Sequence, residues 1–410
     1  MTNVRPTVIW VRSSDSGGRK STEQPGAPRA GQCLSASWSL LLALAGLLLL
    51  PAAARSQGWS WKVEAVDQSA RFSSAVVDHL GNLHVAYIKE PDGIKYGFRP
   101  AGSSQWFTTA VDRRMGFVRL AVDREGNPHL CYNSSGELWY AHWDSERWMI
   151  QQIAPGSGEI SYSCSVAVSP DGTPHLIWYQ YGGQQRAFYL HIKYAVLRGG
   201  AWLARTIDFD GETGKWNSMA VGPQGNPCFS YSAFGKGALK HACWDGKRWT
   251  VSEVDARSDS PNNGLNRGFG NSMVLDSQGN AHISYFDENA VKYAEQHGKT
   301  WSIQVVDSVP PAVDWAAYRS TVLLDQRGFP HIVYENAGSL KHAYWDEKQW
   351  HVQLITAGGQ DPYRFSSAAI DPQGTIYISY RDPGDGSLKV AVGHAQTALQ
   401  ATVADKDKKD

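Results

Sequence analysis

Cysteine is scarce, with five in 410 residues. No CxxC pair and no His-rich zinc spacing occur among them, so neither a metal nor a redox centre is expected. An excess of one charge is also missing: 39 Lys and Arg face 39 Asp and Glu. Nucleic-acid binding, which rests on a basic excess, is therefore not expected. No long stretch carries apolar residues at helical spacing, which argues against a helical bundle. The apolar run LLLALAGLLLL at 40–50 is shorter than the roughly 20 residues of a membrane span. No cofactor is expected.

What is present is turn and strand chemistry: 40 Gly, 18 Tyr and 17 Trp. One phrase recurs along the chain, as DHLGNLHVAY (78–87), DREGNPHLCY (123–132), DSQGNAHISY (276–285) and DQRGFPHIVY (325–334). Aligning on its turn glycine gives seven copies, at Gly81, Gly126, Gly172, Gly225, Gly279, Gly328 and Gly374, spaced by 45 to 54 residues. Such a period means a solenoid, an array or a propeller. Each copy holds four short segments with period-2 alternation, which predicts a four-stranded propeller blade. Before the repeats, 1–38 is polar and basic, and PAAARSQ follows the apolar run. This reads as a secretory signal over 1–56 and an exported, secreted or cell-envelope protein without a membrane span in the mature chain. Residues 397–410, ending ADKDKKD, read as a disordered charged tail.

The seventh copy stops after its third strand. In the other six the fourth strand opens on Trp, with Val or Ile five residues later, as at Trp106/Val111 and Trp350/Ile355. The missing piece is WKVEAVD near the start of the mature chain. About 59–67 is therefore predicted to be the outer strand of the last blade, closing a ring and removing an exposed edge. The expected fold is all-β: a closed seven-bladed β-propeller over 57–396, with four-stranded antiparallel blades.

Once the repeat is subtracted, the unexplained residues fall in the loops that join each fourth strand to the next blade. Arg71, Arg267, Arg319 and Arg364 open blades 1, 5, 6 and 7, which are consecutive around a closed ring. Trp315, Tyr318 and Tyr363 accompany them, and Asp314 and Asp361 lie nearby. A guanidinium fork binds an oxyanion at two points, so this mouth suits carboxylate, sulfate or phosphate groups. The competing account pairs the arginines with acids between blades. Arg119 replaces an inner-strand serine; the ordinary expectation is a satisfied structural residue. The repeated Asp and His (for example Asp78 and His84) suit a hydrogen bond across each hairpin, and Cys228 and Tyr377 replace the His in two blades. Cys228 and Cys243 fall opposite each other across a hairpin, so a disulfide between them is possible in an exported chain.

The blade pattern D-x-x-G-N-x-H-[IV]-x-Y, [LIV]-K-[YH]-A and W-x4-[VI]-D resembles exported propellers of the sialidase-like and fucose-lectin-like superfamilies. The chain has no Asp-box and no Arg-Ile-Pro motif, so no sialidase catalytic residue carries over. The lectin-like resemblance implies sugar recognition between blades or at the mouth. The first reading is thus an exported carbohydrate-binding or adhesion propeller for glycans, anionic ones included. One alternative is a glycosidase or polysaccharide lyase drawing its base from Asp314, Asp361, Tyr318 or Tyr363. Another is a scaffold for an extracellular protein partner.

Overall fold

The computed structural model describes residues 58–154, 164–182, 189–210, 213–256, 267–287, 289–310, 319–336, 338–357 and 366–396. The expected signal segment and charged tail lie outside them. The described residues form seven four-stranded antiparallel sheets, with one short 3-10 turn at Phe234–Lys236. Blade 1 comprises Ala70–Val77, Leu83–Lys89, Gly93–Arg99 and Phe107–Asp112. Blade 7 takes three strands from the C-terminal end and its outer strand, Trp59–Asp67, from the N-terminal end. That strand pairs antiparallel with Leu388–Ala395, from Trp59 opposite Ala395 to Asp67 opposite Leu388. The predicted closure is therefore present.

Seven apolar clusters hold the ring, one at each junction between neighbouring blades. The junction of blades 7 and 1 buries Leu388, Val390 and Val392 against Ala75, Leu83 and Val85. The junction of blades 6 and 7 buries Trp59 with Leu340, Ile376 and Ile378. A propeller has no single central core, so its stability resides in these interfaces.

Three repeated sequence features fasten the interfaces. The outer-strand Trp packs on the third-strand aromatic of the preceding blade: Trp148 on Tyr96, Trp202 on Tyr140, Trp249 on Tyr194 and Trp301 on His241, with centroids 4.8 to 5.5 Å apart. Edge-to-face pairs of this kind add about 0.5–1.5 kcal/mol each beyond burial. The Asp that ends an outer strand reaches into the next blade. Asp208 accepts from Tyr231 at 2.6 Å and Lys240 at 2.9 Å, and Asp307 from Tyr334 at 2.5 Å and Lys341 at 2.9 Å. Burial works to raise the Asp208 carboxyl, but Tyr231 and Lys240 outweigh it and hold the carboxyl below the usual range. Third, inner-strand serines stitch adjacent blades. Ser74 accepts from Leu120 N, Ser165 from Met219 N, Ser218 from Met273 N and Ser367 from Ala75 N, at 3.0 to 3.1 Å. Small polar positions of the inner strands line the central channel, and many also serve as these stitches.

Two disulfides are present. Cys228–Cys243 joins directly opposed residues of blade 4, Cα atoms 4.1 Å apart. Cys131–Cys164, Cα atoms 6.3 Å apart, ties blade 2 to blade 3. Sequence reading missed this second bridge because its halves sit on different blades, where no hairpin register brings them together. Among the described residues, no helix is long and apolar enough to cross a membrane.

Candidate functional site

Where both are present, the recurring Asp and His form a buried fastener inside the blade, as in blades 1, 2 and 5. In blade 1, Asp78 Oδ1 accepts from Leu80 N at 2.9 Å and Asn82 N at 2.8 Å, while Oδ2 accepts from the Asn82 side chain at 2.8 Å. His84 Nε2 lies 3.2 Å from Asp78 Oδ2, and His84 Nδ1 lies 2.6 Å from the Tyr96 hydroxyl. The turn glycine sits at φ of 81° to 86° in all seven blades, a region closed to most side chains. Blade 2 repeats the set with Asp123, Asn127, His129 and Tyr140. Burial pushes His129, His175 and His331 down to about 4. They are neutral hydrogen-bonding groups near pH 7, not proton carriers.

Blades 3 and 4 depart from the pattern. Ser169 takes the Asp position of blade 3 and bonds His175 directly at 2.5 Å. In blade 4 the Asp is Gly222, the His is Cys228 and the Tyr is His241. With no Asp to accept from it, the Asn226 carboxamide has no hydrogen-bond partner among the described residues, unlike Asn82, Asn127 and Asn280, each held by its Asp at 2.8 to 3.0 Å. His241 Nε2 is buried without a partner as well, and burial pushes that ring down to about 4. His241, Cys228 and Cys243 bring three potential ligand atoms within 4.8 Å. Both sulfurs are committed to the disulfide, so the trio is not a metal centre in this state.

A cleft of about 440 Å³ opens at this irregular junction. Trp244, Trp249 and Tyr194 supply aromatic surface; Arg198, Arg205, Asp171, Gln224 and Asn226 supply polar groups. The Arg205 guanidinium lies 5.6 Å from the Trp244 ring centre, and Trp249 is fixed edge-on against Tyr194 at 4.8 Å. Backbone bonds from Thr173 hold the Asp171 carboxyl below its usual range, so it is ionised near neutrality. Flat apolar faces ringed by forked donors and carboxamides suit a ligand with C–H faces and many hydroxyls. The sequence signal was available: two successive copies of the repeat both lose the turn Asp.

The upper mouth is described only in part. Arg71 turns to Glu90, 3.3 Å away, in an exposed pair. Arg319 opens the inner strand of blade 6 and lines a small cavity at the upper end of the channel, with Arg119, Phe72, Ser73, Phe117 and Ser366. Burial lowers its basicity and Glu335 partly restores it. Asp382, another nearby acid, accepts from Lys389 at 2.8 Å rather than from an arginine. Arg267 opens the inner strand of blade 5, but its side chain lies outside the described set. Asp314, Trp315, Tyr318, Asp361, Tyr363 and Arg364 also lie outside it. Arg119 departs from the satisfied structural residue expected of it: it faces the channel and has no hydrogen-bond or ion-pair partner among the described residues.

No family model matches the chain, and no curated protein matches its sequence. Solved structures do match in shape. A lectin from Burkholderia pseudomallei, BP39L, aligns with a TM-score of 0.58 at 13% identity, over 80% of this chain and 96% of its own. A protein of unknown function from Dyadobacter fermentans aligns with a TM-score of 0.51 at 11% identity, over 83% and 100%. A fungal fucose lectin from Aleuria aurantia, a six-bladed propeller, aligns with a TM-score of 0.47 at 15% identity, over 71% and 97%. The described residues form a closed seven-bladed propeller, similar in fold to the Burkholderia pseudomallei lectin.

Proposed function

We propose that this chain is an exported carbohydrate-binding propeller, with a glycan seated in the cleft between blades 3 and 4. The observation that carries the reading is that cleft, where Trp244, Trp249, Arg205 and the unpaired Asn226 meet at the one junction whose blades both lack the turn Asp. A pyranose ring stacks its C–H face on an indole, and its hydroxyls take hydrogen bonds from guanidinium and carboxamide groups. The neighbour named a lectin supports this choice of ligand class through its fold; the chemistry of the cleft supplies the site. We assign Arg71, Arg267, Trp315, Tyr318, Arg319, Tyr363 and Arg364 as further contacts for acidic groups of a longer glycan, with Asp314 and Asp361 beside them in the sequence.

A glycan array probed with the full chain tests this, with Trp244→Ala and Arg364→Ala run beside it. Binding that Trp244→Ala abolishes supports the cleft. Binding lost only in Arg364→Ala moves the seat to the upper mouth. Silence from folded protein across neutral, sulfated and uronic-acid glycans rejects the carbohydrate reading.

A further inference from the structure

Among the described residues, Arg119 is a channel-lining cation with no hydrogen bond or ion pair. Arg119 stands at the inner-strand position that serine holds in neighbouring blades, as at Ser74 and Ser165. It projects toward the axis and lines both the small upper cavity and the channel below, about 220 Å³ in volume. Arg319 enters the same upper cavity from blade 6, across the axis from blade 2. Arg319 has Glu335 beside it; Arg119 has no acid partner among the described residues. The Glu335 carboxylate also receives the Ser366 backbone N–H, so its charge is already shared. Two guanidiniums thus line one confined space, and only the Arg319 side of it has an acid beside it among the described residues. Burial, together with the Arg319 charge, brings Arg119 down to about 10, which still leaves it fully protonated at neutral pH. An uncompensated buried charge is costly unless an anion accompanies it.

We propose that Arg119 and Arg319 form an anion seat at the upper end of the central channel that takes a single carboxylate group. The seat has about 20 Å³ of free space, enough for one or two water-sized atoms. Two carboxylate oxygens meet that limit, and guanidinium forks on either side match their geometry. Phe72 and Phe117, packed edge-to-face with centroids 4.1 Å apart, wall the seat and limit its hydration. The carboxylate comes either as a small free acid or as the acidic residue of a glycan reaching in from the mouth. This seat is separate from the cleft between blades 3 and 4 and does not depend on it.

Calorimetric titration of the full chain at low, constant ionic strength tests the proposal with acetate, D-glucuronate and, as the uncharged control, D-glucuronate methyl ester. Acetate and glucuronate are expected to bind and the ester is not. Equal affinities identify a simple carboxylate; glucuronate binding tenfold tighter or more identifies an acidic sugar residue. Arg119→Gln is expected to weaken both at least tenfold, while Arg147→Gln, an exposed change in the same blade, leaves them unaltered. Arg119→Gln is also expected to melt no lower than the parent without ligand, because it removes one of two facing like charges. Should that variant fail to fold, Arg119→Lys keeps the charge and is expected to retain weaker binding. Absence of carboxylate binding to the folded parent overturns the proposal, as does parental affinity in Arg119→Gln. Loss of this binding with glycan binding at the cleft intact rejects the channel seat alone.

Discussion

Blades 1 and 4 share the same four strands but fill their first hairpin in opposite ways. Blade 1 closes it with Asp78, Asn82, His84 and Tyr96, each satisfied by another member of the set. Blade 4 has Gly222 for the Asp and a disulfide from Cys228 to Cys243 for the His fastener; among the described residues His241 Nε2 is buried without a partner, and the half-buried Asn226 carboxamide faces the cleft. The intact hairpin spends its hydrogen-bonding capacity on itself and offers a ligand little. The broken one keeps its shape by a covalent bond and releases a carboxamide into a cleft lined with aromatic rings. A site on a repeat scaffold arises where the repeat stops satisfying itself.

The comparison breaks most strongly at Asp78. Asp78→Ala strips four partners from a buried turn and is expected to cost about 3 kcal/mol or more, measured by denaturant unfolding; a loss below about 1 kcal/mol contradicts the fastener. The disulfide of blade 4 should weigh about the same. Cys228→Ser with Cys243→Ser is expected to cost about 3 kcal/mol through the freed 15-residue loop, and unchanged unfolding would mean that the bond is incidental. Next comes acidity. His129, His175, His241 and His331 are held at about 4 when folded and return to about 6.5 when unfolded. The unfolded chain therefore binds more protons between those values. Stability is full above about pH 6.5 and falls as pH drops toward 4; a melting temperature flat across that window contradicts buried neutral imidazoles. The smallest effect sharpens the contrast by repairing blade 4. A Cβ at Gly222 meets nothing closer than 3.6 Å, so Gly222→Asp fits and can accept from Asn226 as Asp78 does from Asn82. It should stabilise the chain by about 1 kcal/mol, and a destabilisation would show that blade 4 cannot host the fastener.

Most of the fold was legible because the repeat names each part: the turn Asp and Gly, the second-strand His and Tyr, the third-strand Lys and aromatic, the outer-strand Trp and Asp. The ring closure followed from one absent strand and one surplus strand. The Cys228–Cys243 bridge followed from hairpin register, whereas Cys131–Cys164 crosses between blades and leaves no local signature. The site was less legible. Reading outward from variable loops favoured the upper mouth, where Arg71 turns out to be paired with Glu90. The cleft between blades 3 and 4 is marked by residues missing from a pattern, and Arg119 by a serine replaced, signals that appear only when copies are compared position by position.

The central claim is that the released Asn226 carboxamide of blade 4 helps make the glycan seat. Glycan binding by the full chain, compared with Gly222→Asp, tests it most directly, since that change adds a stabilising bond while recapturing Asn226. The account predicts a more stable protein that binds its glycan at least fivefold more weakly. A more stable protein with undiminished glycan affinity would contradict it.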